Sequence, residues 1–123
     1  MKQEHNGASR LRQATRNSFR GIRDCWQLEE AFRYDVTIFV VLLPNSFWLA
    51  RSFTEWLLLL FPLFLLLIVE LLNSAVENTV DRIGEERHTL SGRAKDMGSS
   101  AVMFCLILLA IVWLGMAWTR FHA

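Results

Sequence analysis

The sequence predicts an all-α integral membrane protein, with three transmembrane helices following an N-terminal amphipathic surface helix. Three observations carry this prediction. The 123 residues are 53% hydrophobic and 12% aromatic, and the apolar residues are gathered into long runs instead of being spread at core-forming intervals. Those runs take up more than half of the chain, leaving little for a separate water-soluble core. The formal charge is only +1, but the 13 basic residues are one-sided. Seven precede the first run and four fill the loop after the second, leaving only Arg51 and Arg120 for the other side. By the positive-inside rule the N-terminus and second loop are cytoplasmic and the C-terminus is outside. The expected layout is one membrane domain over residues 1–123: a surface helix over 7–28, then spans over 31–50, 53–85 and 91–120. The second of these spans extends into the cytoplasm.

The first 25 residues are basic and polar with no apolar stretch, so no cleavable signal peptide is expected. Between residues 10 and 26, Leu11, Ser18, Phe19, Ile22, Cys25 and Trp26 share one helical face, while Arg12, Arg16 and Arg20 recur on another. This pattern suits a helix lying in the headgroup layer, where arginines meet anionic lipid at ~1 kcal/mol each. Basic and aromatic residues also serve nucleic-acid binding, but a stretch tied to a membrane span has lipid as its nearer anionic partner, and no nucleic acid is expected. Glu29, Glu30 and Asp35 come next, at headgroup depth. For Glu30 and Asp35 a solvated face pairing with Arg33 competes with a functional role.

Pro44, Asn45 and Ser46 interrupt the first span, and Pro44 is expected to kink it or end it early unless neighbours satisfy the freed carbonyls. The second span starts at Trp56, bends at Pro62 and runs past the membrane edge, with a break at Gly84. Ser91 is the expected N-cap of the third helix, which is uncharged over residues 97–118 and ends in the aromatic belt residues Trp113 and Trp118. Ala94, Gly98, Ala101 and Cys105 give it small side chains at helical spacing for close packing. Cys25 and Cys105 have neither CxxC spacing nor an oxidising setting and are expected to be buried small hydrophobes.

The chemistry-bearing stretch is residues 70–96, ELLNSAVENTVDRIGEERHTLSGRAKD. At ~100° per residue, Glu70, Asn73, Ser74, Glu77 and Asp81 fall on one stripe with an apolar back. Counted from Trp56 at ~1.5 Å per residue, Glu70 lies ~21 Å deep and Glu77 ~31 Å deep, near the far edge of a ~30 Å core. A carboxyl at that depth either has a task or makes a helix-to-helix hydrogen bond. No GxxxxGK[ST], GxGxxG or HExxH motif is present. Glu29 and Glu77, both at the cytoplasmic rim, could hold a magnesium ion whose other ligands are water and phosphate oxygens. Lys95, Arg10 and His88 would meet phosphates, and Glu70 could be the base for a lipid hydroxyl. The residues alone leave phosphoryl transfer and a small proton-coupled transporter subunit both open.

ELLNSAVENTVDRIG at 70–84 and LSGRAKDMGS at 90–99 closely resemble the signature of the small prokaryotic diacylglycerol kinases. The register extends without gaps through Phe32 and Arg33, Glu29 and the arginine-bearing N-terminus, over nearly the whole chain. The resemblance implies a homotrimer in the bacterial cytoplasmic (inner) membrane, with composite active sites between subunits. It also implies MgATP-dependent phosphorylation of diacylglycerol to phosphatidic acid. By position it places the general base on Glu70, with Asn73, Lys95 and Asp96 as catalytic partners, and the metal on Glu29 and Glu77. Nucleotide contacts fall on Arg10, Asn17, Glu29, Glu77, Glu86, Arg87, His88, Lys95 and Asp96. Lipid contacts fall on Arg10, Ala14, Ser18, Phe19, Arg23, Trp26, Ala31, Phe32, Arg33, Asp35, Trp48, Trp56, Glu70, Ser99, Trp113 and Trp118. Arg16, Asn17, Leu28 and Arg87 depart from the family pattern, around the nucleotide's peripheral contacts. The related undecaprenol kinases share the ELLN core but have a loop less like this one, so diacylglycerol is the expected substrate.

Overall fold

The computed structural model describes residues 6–84, 86 and 88–122. It contains four helices, α1 (Gly7–Leu28), α2 (Glu30–Leu49), α3 (Phe53–Ile83) and α4 (Thr89–His122), and among the described residues no strand. The expected end of the second span at residue 85, the nucleotide contact Arg87 and the C-terminal Ala123 lie outside the described residues.

Local chemistry sets the boundaries. Asn6 caps α1, its side chain accepting from the Ser9 N–H at 2.8 Å. Ser52 caps α3 by accepting from the Glu55 N–H at 3.1 Å, while the Glu55 carboxylate reaches back to the Arg51 N–H at 3.3 Å. Between α1 and α2 only Glu29 is non-helical, serving as C-cap of one and N-cap of the other. Since α1 has no basic residue in its last turn, Arg33 of α2 supplies the charge. Its Nη1 donates to the Trp26 and Gln27 carbonyls at 2.7 and 3.3 Å.

One sequence expectation narrows and one is corrected: of a kink or an early end at Pro44, the early end does not occur, and α2 continues to Leu49. The turn around it is held by side chains: the Asn45 amide donates to the Val41 carbonyl at 2.7 Å and the Ser46 hydroxyl to the Leu43 carbonyl at 2.6 Å. The fourth helix starts at Thr89, before Ser91, because His88 does the capping, its Nδ1 accepting from the Leu90 N–H at 3.1 Å. α3 runs unbroken through Pro62, where the Trp113 indole donates to the nearby Leu59 carbonyl at 3.1 Å.

α3 is the central element, with α4 along one side and α2 along the other, while α1 lies against α2 and α3 at the end bearing the polar seam. Leu59, Leu63 and Leu66 are fully buried along α3, and the last two share a core with Cys105 and Leu109 of α4 and Ile38, Phe39 and Leu42 of α2. Of the small-residue series on α4, Gly98 and Cys105 face α3, whereas Ala101 is exposed. Both cysteines are buried and free, as expected.

α3 and α4 are long and apolar enough to cross a membrane, with mean hydropathy of 2.4 and 2.5 over their best windows. Only 33% and 11% of those windows are buried, so most of this apolar surface points outward, unlike that of a soluble core helix. α2 is shorter, at 20 residues, and carries Glu30, Arg33 and Asp35. The apolar face of α1 is likewise uncovered, with Leu11, Phe19, Ile22 and Trp26 all exposed.

Candidate active site

The polar seam predicted on α3 forms as a graded strip. Glu70 is 3% exposed and Ser74 6%, Asn73 and Glu77 are half-buried, and Asp81 is exposed. The seam therefore runs from the protein interior to solvent in three turns. Its inner end has a partner from another helix, since Asp35 of α2 is buried and its carboxyl lies within hydrogen-bonding reach of Glu70. The solvated ion pair that competed for Asp35 in the sequence is not formed, because Arg33 is turned back to cap α1. Glu30 instead accepts from the Tyr34 hydroxyl at 2.7 Å.

At the rim, the one-residue junction brings Glu29 onto the face of α3. Glu29 Oε1 accepts from the Asn78 amide at 3.3 Å, and the same amide donates to the Ser74 carbonyl at 2.7 Å. Glu77 Oε1 accepts from the Asn73 amide at 3.5 Å. Glu29 and Glu77 both lie within electrostatic reach of Glu70. They are two hard-oxygen donors beside a buried acid, which fits a magnesium ion that takes most of its ligands from water and phosphate. Among the described residues no three His, Cys, Asp or Glu side chains converge into a protein-only metal cage. Behind Glu29, the Cys25 thiol donates to the Ser74 hydroxyl at 3.5 Å. Burial pushes that thiol's pKa up, the Ser74 hydrogen bond opposes this, and the Glu29 and Glu70 carboxylates add to the rise.

Cys25, Glu29, Ser74 and Asn78 line an open groove of about 510 Å³ between α1 and α3, with Ser18 and Ile22 on one wall and Leu71 and Ala75 on the other. A second cleft, of about 480 Å³, lies where α3 turns into α4 and is lined by Asp81, Glu86, His88, Ser91 and Lys95. Lys95 Nζ pairs with Asp81 at 2.7 Å, an exposed pair whose value lies in orienting the ammonium. Glu86, His88 and Lys95 of the expected nucleotide set are thus brought together, with Asp96 exposed one residue on. Arg10 and Asn17 are not brought to this cleft; they line a separate surface depression on α1, where Asn17 accepts from Gln13 at 3.1 Å. Asn73 is fixed from α4, because Gly98 packs directly against its side chain and a Cβ there would overlap Asn73 Oδ1.

The expected lipid contacts separate into two zones. Ala14, Phe19, Arg23, Trp26 and Ala31 are exposed near the seam end of the chain, whereas Phe32 is 3% exposed and packed. Arg23 pairs with Asp24 at 3.6 Å. Ser99 is exposed on α4, one residue past Gly98. Trp48, Trp56, Trp113 and Trp118 sit at the opposite end. Trp56 donates to Ser46 at 3.1 Å, Trp48 packs on Phe121, and Trp118 stacks on His122. Within one chain they are ~20 Å from Glu70 along the helices.

Sequence reasoning missed Asn78, which lies about 80° off the stripe through Glu70 and becomes relevant only once Glu29 is placed beside it. It also treated Cys25 as purely apolar, without its bond to Ser74.

The chain is similar in sequence to known proteins over most of its length. A family model described as prokaryotic diacylglycerol kinase matches residues 16–117. The diacylglycerol kinase of Escherichia coli (strain K12) is 42% identical over 115 residues, 94% of this chain and 94% of that protein. That of Haemophilus influenzae is 43% identical over 109 residues, 89% and 92% of the respective chains. That of Pseudomonas aeruginosa is 46% identical over 107 residues, 87% of each.

Proposed function

The chain belongs to the prokaryotic diacylglycerol kinase family, and from this premise we infer that it transfers the γ-phosphoryl group of ATP to diacylglycerol, giving phosphatidic acid and ADP. The observation that carries the chemical reading is Glu70, a buried carboxyl placed two helical turns inside a pair of rim carboxylates. Glu70 accepts the proton of the lipid hydroxyl as its oxygen attacks the γ-phosphorus. Asn73, locked against Gly98 and hydrogen-bonded to Glu77, holds the carboxylate side of the seam in place. Glu29 and Glu77 hold magnesium, which when bound neutralises charge developing on the phosphates. Lys95, oriented by Asp81, together with His88, Glu86 and Asp96, receives the nucleotide in the α3–α4 cleft. Arg10, Asn17 and Arg87 belong to the same reading through the resemblance.

The exposed apolar face of α1 lies on the cytoplasmic surface of the inner membrane, and α2 is the third span, beside α3 and α4. The outward apolar surface of α3 and α4 and the separation of Arg10 and Asn17 from the nucleotide cleft within one chain support a homotrimer with sites shared between subunits. In that assembly the surface-helix residues, Ala31, Phe32, Arg33, Asp35 and Ser99 contact the lipid near Glu70, and the tryptophans contact its acyl end. The test is phosphate transfer from labelled ATP by purified protein in mixed micelles, across diacylglycerol, monoacylglycerol and undecaprenol. Diacylglycerol should be the best acceptor; preference for undecaprenol would move the chain to the neighbouring specificity, and transfer to none of them would overturn the reading.

A further inference from the structure

We propose that Asn78 is a positioning residue that fixes the Glu29 carboxylate over α3 and so sets the affinity of the rim for a divalent cation. The proposal rests on the reading of Glu29 and Glu77 as the metal carboxylates. Glu29 is the sole residue between α1 and α2, with extended backbone at φ −117° and ψ 109°, and its side chain springs from the joint between two helices. A carboxylate on such a joint has rotamer freedom that metal binding must remove. One amide limits it. The two protons of Asn78 Nδ2 go to the Ser74 carbonyl at 2.7 Å and to Glu29 Oε1 at 3.3 Å. The first bond, one helical turn back on α3, aims the amide; the second transmits that aim to Glu29. With Oε1 engaged by a neutral donor, Oε2 keeps its lone pairs for a cation, and Asn78 adds no charge that would compete with it.

The arrangement also links the junction to the buried seam. Ser74, whose carbonyl aims Asn78, receives the Cys25 thiol through its hydroxyl, so one residue of α3 fixes both the last turn of α1 and the Glu29 side chain. Removing the partners of metal-ligating groups typically weakens metal binding ~10–100-fold. Asn78 is exposed and its bond to Glu29 is long, so the lower end or below, ~3–10-fold, is the expected loss.

The experiment measures Mn²⁺ binding by electron paramagnetic resonance on the full chain in detergent micelles, with and without a non-hydrolysable ATP analogue. It compares the parent with Asn78→Leu, which keeps the branched shape without the polar atoms, Asn78→Ala, Glu29→Gln and Glu77→Gln, and records thermal midpoints on the same preparations. Weaker Mn²⁺ binding by ~3–10-fold in both Asn78 variants, with midpoints within a few degrees of the parent, is the expected result. Unchanged Mn²⁺ affinity in the Asn78 variants, with binding lost in the two glutamine variants, overturns the positioning role and leaves the metal reading standing. Unchanged affinity in all four variants overturns the metal reading itself. A fall in affinity that tracks a fall in midpoint across the Asn78 variants assigns Asn78 to folding and overturns the proposal.

Discussion

The packing of Gly98 on Asn73 gives a substitution whose effects on stability and on turnover should separate. In Gly98→Ala the new Cβ meets Asn73 first, second and third: it overlaps Oδ1, lies 3.3 Å from Cγ and 3.9 Å from Cα. The last is an ordinary van der Waals contact, so the helices need not part; the Asn73 side chain must turn. Overpacking of this kind costs ~1–3 kcal/mol, and replacing glycine by alanine within a helix returns ~1 kcal/mol. The net loss of stability is therefore ~0–2 kcal/mol, a drop in thermal midpoint of roughly 10 °C or less. Turnover should fall separately. A turned Asn73 releases Glu77; at 3.5 Å that bond is long, so the lower end or below of the ~1.5–3 kcal/mol for a hydrogen bond to a charged group applies, roughly three- to tenfold in rate. A double-mutant cycle with Asn73→Ala gives the control. Removing the amide removes the clash, so the double variant should be more stable than Gly98→Ala while its turnover matches that of Asn73→Ala. Kinase turnover and thermal melts on the four proteins decide it. Full turnover in Gly98→Ala, or a double variant no more stable than Gly98→Ala, would refute the reasoning.

Three further outcomes are expected, two from the seam and one from the distribution of basic residues. Glu70→Gln should lower turnover ~10²–10⁴-fold while assembly and nucleotide binding persist, because an amide is cheaper to bury than a carboxylate and one acid of the Asp35–Glu70 contact is removed; near-normal turnover removes Glu70 from the chemistry. Glu77→Gln should raise the magnesium concentration needed for half-maximal rate, and an unchanged magnesium dependence would return Glu77 to a solvated helix face. A single cysteine introduced at residue 88 of a Cys-less protein should resist impermeant thiol reagents in intact cells and react in inverted vesicles; labelling from outside contradicts the orientation drawn from the basic residues.

The seam was readable because its signal is one-dimensional: five polar residues on one helical stripe after an apolar run define a face whatever surrounds it. Asp35 was not readable in the same way. With Arg33 two residues away, a solvated pair was a reasonable expectation, and only the commitment of Arg33 to the α1 carbonyls leaves Asp35 turned toward Glu70. Asn78 was invisible for the opposite reason, since it lies off the stripe and its partner is 49 residues away across a junction of one residue. α2 continues through Pro44 with side-chain bonds from Asn45 to Val41 and from Ser46 to Leu43 beside it, contacts that composition does not reveal, and the early start of α4 goes with a histidine acting as cap where serine was the expected choice.

The placement of the seam on α3 follows from where polar groups can be buried and still face a partner. α3 is flanked by α4 on one side and α2 on the other, so it can carry a buried carboxyl with protein on both sides, and α2 places Asp35 against it. The reaction needs that graded burial. A diacylglycerol hydroxyl cannot leave the membrane surface without exposing its acyl chains, and ATP cannot enter hydrocarbon without shedding the hydration of its phosphates. The two reactants meet only across the few ångströms where the medium changes. Glu70 and Glu77 are seven residues apart, ~10 Å along the axis, and this interval carries α3 from full burial to half-burial. With Glu70 as the proposed base on the lipid side and Glu77 as a proposed metal carboxylate on the water side of that interval, each reactant would remain in its own solvent while the phosphoryl group crosses between them.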